Sequence, residues 1–231
     1  MKKIFKGTLV TCFVTMSGGL AFADSVSESS FNAGLTVGTL GAGINLSTPI
    51  SDSMSARVNV NGLQYSYTLD VDNTRYDGDI DFKNAGLLVD YFPFESTFRV
   101  SGGVYYNGNE FDGSATPSGT EKITIGNNIY TASEVGKLNT HVEFENVAPY
   151  LGIGWGNNSN EKGWGYSFDL GIMYQGSPKV DSNVDLNPLI IGTPIEDEIN
   201  DNLVVETQKI IDDVEDYKFY PVVMIGINYK F

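Results

Sequence analysis

The chain has 231 residues, 14 basic and 29 acidic, for a formal net charge of −15 at pH 7. That balance argues against nucleic acid as a partner, because nucleic acid needs a basic surface. Its 26 Gly, 13 Tyr and 13 Phe pair glycine with aromatics, the combination β-barrels use at crowded lumen positions and at the two lipid interfaces.

The first residues read as a secretory signal peptide over 1–23. Lys2, Lys3 and Lys6 make a basic start, residues 9–20 are apolar or small, and Ala21-Phe22-Ala23 has the small-x-small form of a cleavage site. Asp24, not Cys, follows, which argues against a lipoprotein. The single cysteine, Cys12, leaves with the signal, so no thiol chemistry, disulfide or cysteine metal site is expected in residues 24–231. The signal takes three basic and no acidic residues, leaving 11 basic residues and a mature charge of −18. Such a surface attracts cations, or is bridged by divalent ions to anionic lipid. No later run of about 18 apolar residues exists to make a membrane-spanning helix.

The remainder is read as strands. Residues 30–48 hold two short strands around Gly38-Thr39-Leu40-Gly41, where glycine allows positive φ. One long strand across 31–48 is the competing reading. In 55–71 the apolar phase runs Ala56, Val58, Val60, then Leu63, Tyr65, Tyr67, Leu69, Val71, and the slip at Asn61-Gly62 predicts a β-bulge. Similar slips follow Phe82 and Phe144. In 79–92 the later phase is Ala85, Leu87, Val89, Tyr91. In 98–112, Phe98, Val100, Gly102, Val104 and Tyr106 alternate with Arg99, Ser101, Gly103, Tyr105 and Asn107. A strand over 141–156 carries Val142, Phe144, Leu151, Ile153 and Trp155.

The strand over 164–180 is the cleanest. Trp164, Tyr166, Phe168, Leu170, Ile172 and Tyr174 share one face, with aromatics at both ends of an aliphatic band, as a lipid-facing strand requires. A helix is expected over 193–216. Thr193-Pro194-Ile195-Glu196 supplies an N-cap, a first-turn Pro and a capping-box Glu, and Ile195, Ile199, Leu203, Ile210 and Val214 follow helical spacing.

The last strand, 217–231, places Val223, Ile225, Ile227, Tyr229 and Phe231 on one face, and the given chain stops on Phe. Outer-membrane barrels habitually end this way, so these five residues are read as the membrane-insertion signal. Connections at 92–97 and 157–163 are short, whereas 70–79, 113–140 and 181–216 are long and polar. An even strand number with both ends periplasmic then gives an all-β fold: an eight-stranded antiparallel transmembrane β-barrel with long extracellular loops and a short amphipathic helix in the last loop.

Three motifs carry a resemblance. Ala148-Pro149-Tyr150-Leu151-Gly152-Ile153-Gly154-Trp155, Gly176-Ser177-Pro178-Lys179-Val180 and Asp216-Tyr217-Lys218-Phe219-Tyr220-Pro221-Val222 resemble successive strand motifs of the small CarO-like outer-membrane proteins. That family includes porins for ornithine and other basic amino acids. The motifs mark the barrel scaffold rather than a transport site. The resemblance implies a bacterial outer-membrane location, with outer-membrane lipid, lipopolysaccharide, the barrel-assembly machinery and small solutes as partners.

The inward phase collects Arg57, Asn59, Gln64, Asp90, Arg99, Asp169 and Gln175. Arg57, Asp90, Arg99 and Asp169 lie near the short-turn ends of their strands, so they are expected at one lumen level. Charges out of water need partners, so an ion-paired network follows. It is either a structural plug or a constriction that selects charged solutes. Lys83, Glu143 and Glu145 are placed nearer the outer mouth, beside Asp70, Asp77, Asp79 and Asp81. His141, the only histidine, is read as a rim residue rather than a catalytic one, so no enzyme is expected. Residues 70–81 lack the EF-hand spacing, and neither a metal nor another cofactor is expected. The leading functional reading is a narrow passive channel for small cationic, amino-acid-like solutes. The alternative is a structural or surface-interaction barrel with a closed, ion-paired lumen.

Overall fold

The computed structural model describes residues 31–71, 73–94, 96–119, 121–132, 134–156 and 162–231, and the backbone of 6–10. Its elements are β1 (Lys6–Val10), β2 (Asn32–Gly38), β3 (Gly41–Ser51), β4 (Met54–Val71), β5 (Thr74–Tyr91), β6 (Phe98–Asn107), β7 (Glu110–Pro117), β8 (Lys122–Ile125), β9 (Asn128–Thr131), β10 (Val135–Glu143), β11 (Val147–Gly156), β12 (Gly163–Tyr174), β13 (Lys179–Leu186), α1 (Pro194–Val214) and β14 (Phe219–Lys230).

Eight of these pair in a ring. The order β2-β3-β4-β5-β6-β11-β12-β14 returns to β2, each neighbour antiparallel. Period-2 alternation sets the two faces of the wall. On β14, Ile225 and Ile227 face out while Met224 and Asn228 are buried. On β12, Trp164, Tyr166, Leu170, Ile172 and Tyr174 are exposed while Ser167, Asp169 and Met173 are buried. Aromatics collect at both ends of the wall. Phe31 stacks on Phe231 at 4.5 Å and Trp164 meets Tyr229 at 5.3 Å at one end, and Tyr174 meets Phe219 at 5.3 Å at the other. Residues 30–48 hold two strands, β2 and β3, around Thr39-Leu40, with Gly41 at φ +93. Residue 30, where the first of them is expected to begin, lies outside the described residues.

Several expectations are corrected. No bulge occurs at Asn61-Gly62, because the β4–β5 register runs unbroken from Met54↔Tyr91 to Val71↔Thr74. The apolar phase slips there because β3 stops pairing at Gly62 and β4 rises past the end of the barrel. The surroundings of its faces change while the strand stays regular. Gln64, expected inward, is exposed for that reason. Residues 70–79 are the tip of a long hairpin and not a loop. The slip after Phe82 marks a change of partner on β5, from β7 to β6. The slip after Phe144 is a break between β10 and β11. The strands expected over 98–112 and 164–180 are likewise divided, into β6 and β7 and into β12 and β13.

The outer parts of β4 and β5 continue with β7, β10 and β13 as an open sheet above the ring. It has its own apolar core: Ile125, Tyr130, Val135 and Ile199, with Ile123, Val184, Leu186, Ile190 and Leu203 packed around them. α1 begins where expected, with Thr193 extended and Pro194 in the first turn, but no side-chain cap bond forms. The Glu196 carboxylate accepts from Gly192 N at 2.5 Å, one residue earlier than a capping box would place it. The helix grips the β8–β9 turn: Glu206 Oε2 accepts from Gly126 N at 3.0 Å, Asn202 Oδ1 accepts from Asn127 N at 3.1 Å, and Lys209 Nζ donates to the Gly126 carbonyl. The turn requires Gly126 at φ +63.

Candidate functional site

The lumen is built in layers, and three strands show the same outward sequence of them. On β5 it runs Asp90, Leu88, Asn84; on β6, Arg99, Tyr105, Asn107; on β12 and just past its end, Asp169, Met173, Gln175, all nine buried. All are inward positions of one phase of the alternation, with small inward residues such as Gly86, Ser101 and Gly171 between them.

The charged layer gathers Arg57, Asp90, Arg99 and Asp169. Arg57 donates to both Asp169 oxygens at 3.0 and 3.1 Å, to Asp90 Oδ1 at 2.8 Å and to Ser101 Oγ at 3.2 Å. Arg99 donates to Asp169 Oδ1 at 2.7 Å and to the Gly156 carbonyl at 2.8 Å. Ser101 Oγ donates to Asp90 Oδ1 at 2.5 Å. Arg99 and Asp169 share one register row across Gly154. A Cβ on Gly154 would meet Arg99 Cζ at 2.9 Å, so glycine there leaves the slot in which the guanidinium lies. Two positive and two negative groups balance. Desolvating each ion costs several kcal/mol, so the cluster is sustained only because nearly every charged atom has a close partner.

The apolar layer comprises Leu40, Leu88, Tyr105, Ala148, Tyr150, Met173, Val222 and Met224, with Tyr220 packed beside it. Tyr105 and Tyr150 meet edge to face at 5.5 Å. Their bulk is accommodated by glycines, Tyr105 over Gly86 of the neighbouring β5, and Tyr150 over Gly152 of its own strand and Gly171 of the neighbouring β12. Tyr105 also accepts from Asn59 Nδ2 at 2.9 Å, tying this layer to the strand of Arg57. The outermost layer is amide. Asn84 Nδ2 donates to Asn109 Oδ1 at 2.8 Å, Asn107 Nδ2 to the Glu145 carbonyl at 3.2 Å, and Gln175 Nε2 to the Tyr217 carbonyl at 2.8 Å.

Ser101, Gly154 and the apolar layer were not singled out from the sequence as site residues. Their signal is their phase: Ser101 and Tyr105 share the alternation of Arg99. The residues expected at the outer mouth are divided, Lys83 and Glu145 exposed and Glu143 half-buried. Lys83 pairs with Asp81 at 2.6 Å, while Glu143 and Glu145 lie 3.9 and 3.5 Å from Lys179. His141 Nδ1 pairs with Asp112 at 2.7 Å on the outer sheet, and that bond raises the imidazole above its usual 6.5. Among the described residues, no three His, Cys, Asp or Glu converge as a metal site. Of the five residues read as the insertion signal, Ile225, Ile227 and Phe231 are exposed, Val223 and Tyr229 half-buried.

No family profile and no curated protein matches the chain. Solved structures do. Acinetobacter baumannii CarO2 is similar at 23% identity, covering 89% of this chain and 100% of that one, with a TM-score of 0.56. Acinetobacter baumannii CarO is similar at 25% identity, covering 87% and 97%, with a TM-score of 0.54. The chain is an outer-membrane β-barrel similar in fold to these two structures.

Proposed function

We propose that this outer-membrane barrel is closed at rest by its charged and apolar layers, and that it acts at the cell surface through the sheet and helix above the ring. The observation that carries this reading is Arg99. It is 0% exposed and bonded to Gly156 of β11 and to Asp169 of β12, which Arg57 reaches from β4 on the opposite wall, and it lies beneath an apolar layer that contains Tyr105 and Tyr150. Passage of a solute requires displacing both layers, and unpairing a buried charge costs about 3–5 kcal/mol. The resemblance to the CarO barrels and the acidic outer strands support the other reading, a narrow passive channel for small cationic, amino-acid-like solutes.

Planar-bilayer conductance and liposome swelling with lysine or ornithine separate the two. Measurements at low and high salt are needed, because an exposed acidic mouth is screened beyond about 10 Å at 0.1 M. The closed barrel is silent, and Arg99→Ala stays silent because the apolar layer remains. Steady wild-type conductance, raised further by Arg99→Ala, overturns the closed reading in favour of the channel.

A further inference from the structure

The outer sheet has two edges of different kinds. The β13 edge carries Lys179, Asp181 and Asp185, and α1 packs its Ile199 and Leu203 beside Val184 and Leu186. The other edge is the outer part of β4. There β3 stops at Gly62, and residues 63–69 contain no charge and no proline. Sheet edges are ordinarily guarded by charge, proline, a bulge or a covering element, because unpaired N–H and C=O groups template another strand. No charge, proline or bulge interrupts β4 over 63–69, and its register with β5 is regular throughout.

This edge also carries a strand. β1 pairs antiparallel with it, Lys6↔Thr68 through Val10↔Gln64. β1 lies within the segment read as a cleaved signal, so processing would strip it and leave the edge open. β4 beyond Gly62 offers Leu63, Tyr65, Tyr67 and Leu69 on one face and Gln64, Ser66 and Thr68 on the other, with the two Tyr rings stacked at 6.4 Å.

We propose that residues 64–68 of β4 form an acceptor site for an extended segment of another polypeptide. The segment adds antiparallel, running toward the membrane, with apolar side chains beside Tyr65 and Tyr67 and small polar ones beside Ser66. Main-chain hydrogen bonds supply affinity and the alternating faces supply selectivity. A second copy of this chain is disfavoured as the occupant. Two barrels in one membrane point the same way, so their β4 strands would lie parallel, whereas the strand seated here is antiparallel. The proposal goes beyond the closed-barrel reading and does not depend on whether the lumen conducts.

The test uses mature protein purified from outer membranes, its amino terminus read by mass spectrometry, with a synthetic peptide of residues 4–11 as the probe. Amide hydrogen exchange is followed on β4. Within 64–68 the amides that point away from β5 exchange fast in the free protein, and the peptide slows those about ten-fold, as expected for newly bonded amides, while the alternate amides already bonded to β5 stay slow in both states. Gln64→Lys and Ser66→Lys, both at exposed positions, abolish that protection while exchange on β12 is unchanged. Four outcomes overturn the proposal: no protection at millimolar peptide, protection that survives both Lys variants, protection without peptide at the mass of a dimer, and a mature protein that retains residues 6–10.

Discussion

In the ring, Ile225 and Ile227 are more than half exposed while Arg99 and Asp169 are buried. In the sheet above it, Val135 is 0% exposed while Asp112 and His141 face solvent. One chain thus uses the same alternation in opposite senses, divided at the level where β6 gives way to β7, β10 to β11 and β12 to β13. The solvent explains the inversion. Lipid accepts apolar side chains at no cost, so the ring exports them and keeps its polar groups for a bonded lumen. Water rejects them, so the outer sheet needs a helix to cover its core.

The largest expected break in this comparison is in the ring. Asp169→Ala leaves both Arg57 and Arg99 short of their main acceptor, and urea unfolding of the reconstituted barrel should show about 3–5 kcal/mol of lost stability. On the opposite face of the same strand, Leu170→Arg should cost about 2–4 kcal/mol in lipid. If Leu170→Arg proves harmless, this face does not meet the bilayer. On the helix that covers the outer sheet, Ile199→Ala should cost about 2–5 kcal/mol, the usual range for emptying a core site. That loss should appear in proteolysis of 187–216 while heat-modifiability of the ring on a gel is unchanged, since the two cores are separate clusters.

Deleting Phe231 removes the ring stacked on Phe31 and should lower the folded, heat-modifiable fraction. Equal yields of folded protein would remove the last strand's role in insertion. The smallest effect is electrostatic and lies in the outer sheet. The bond to Asp112 raises His141, so its contribution is full below about pH 6.5 and lost as pH rises through the folded imidazole's titration. Because the pair is exposed, the change should be about a few tenths of a kcal/mol. An NMR titration of His141 should place its midpoint above that of an unfolded peptide, and Asp112→Asn should lower it.

The faces of β12 and β14, the α1 start and the four charges of the lumen were legible because each is written locally. Alternation has a period of two, a helix start is a four-residue pattern, and inward phase needs only a count along one strand. The break between β6 and β7 and the straight course of β4 past Gly62 were not legible, since both depend on where a neighbouring strand stops. The same holds for Ser101 and Tyr105, whose partners Asp90 and Asn59 lie 11 and 46 residues away. The sequence by itself determined which residues of the ring face outward and which inward, but not that Gln64 lies beyond the ring. Only the tertiary structure decided that Arg57 meets Asp169 across 112 residues, and that Gly154 leaves room for Arg99 to reach the same carboxylate. The reason is that facing is a property of one strand's pleat, whereas meeting is set by the register of eight strands closed into a ring.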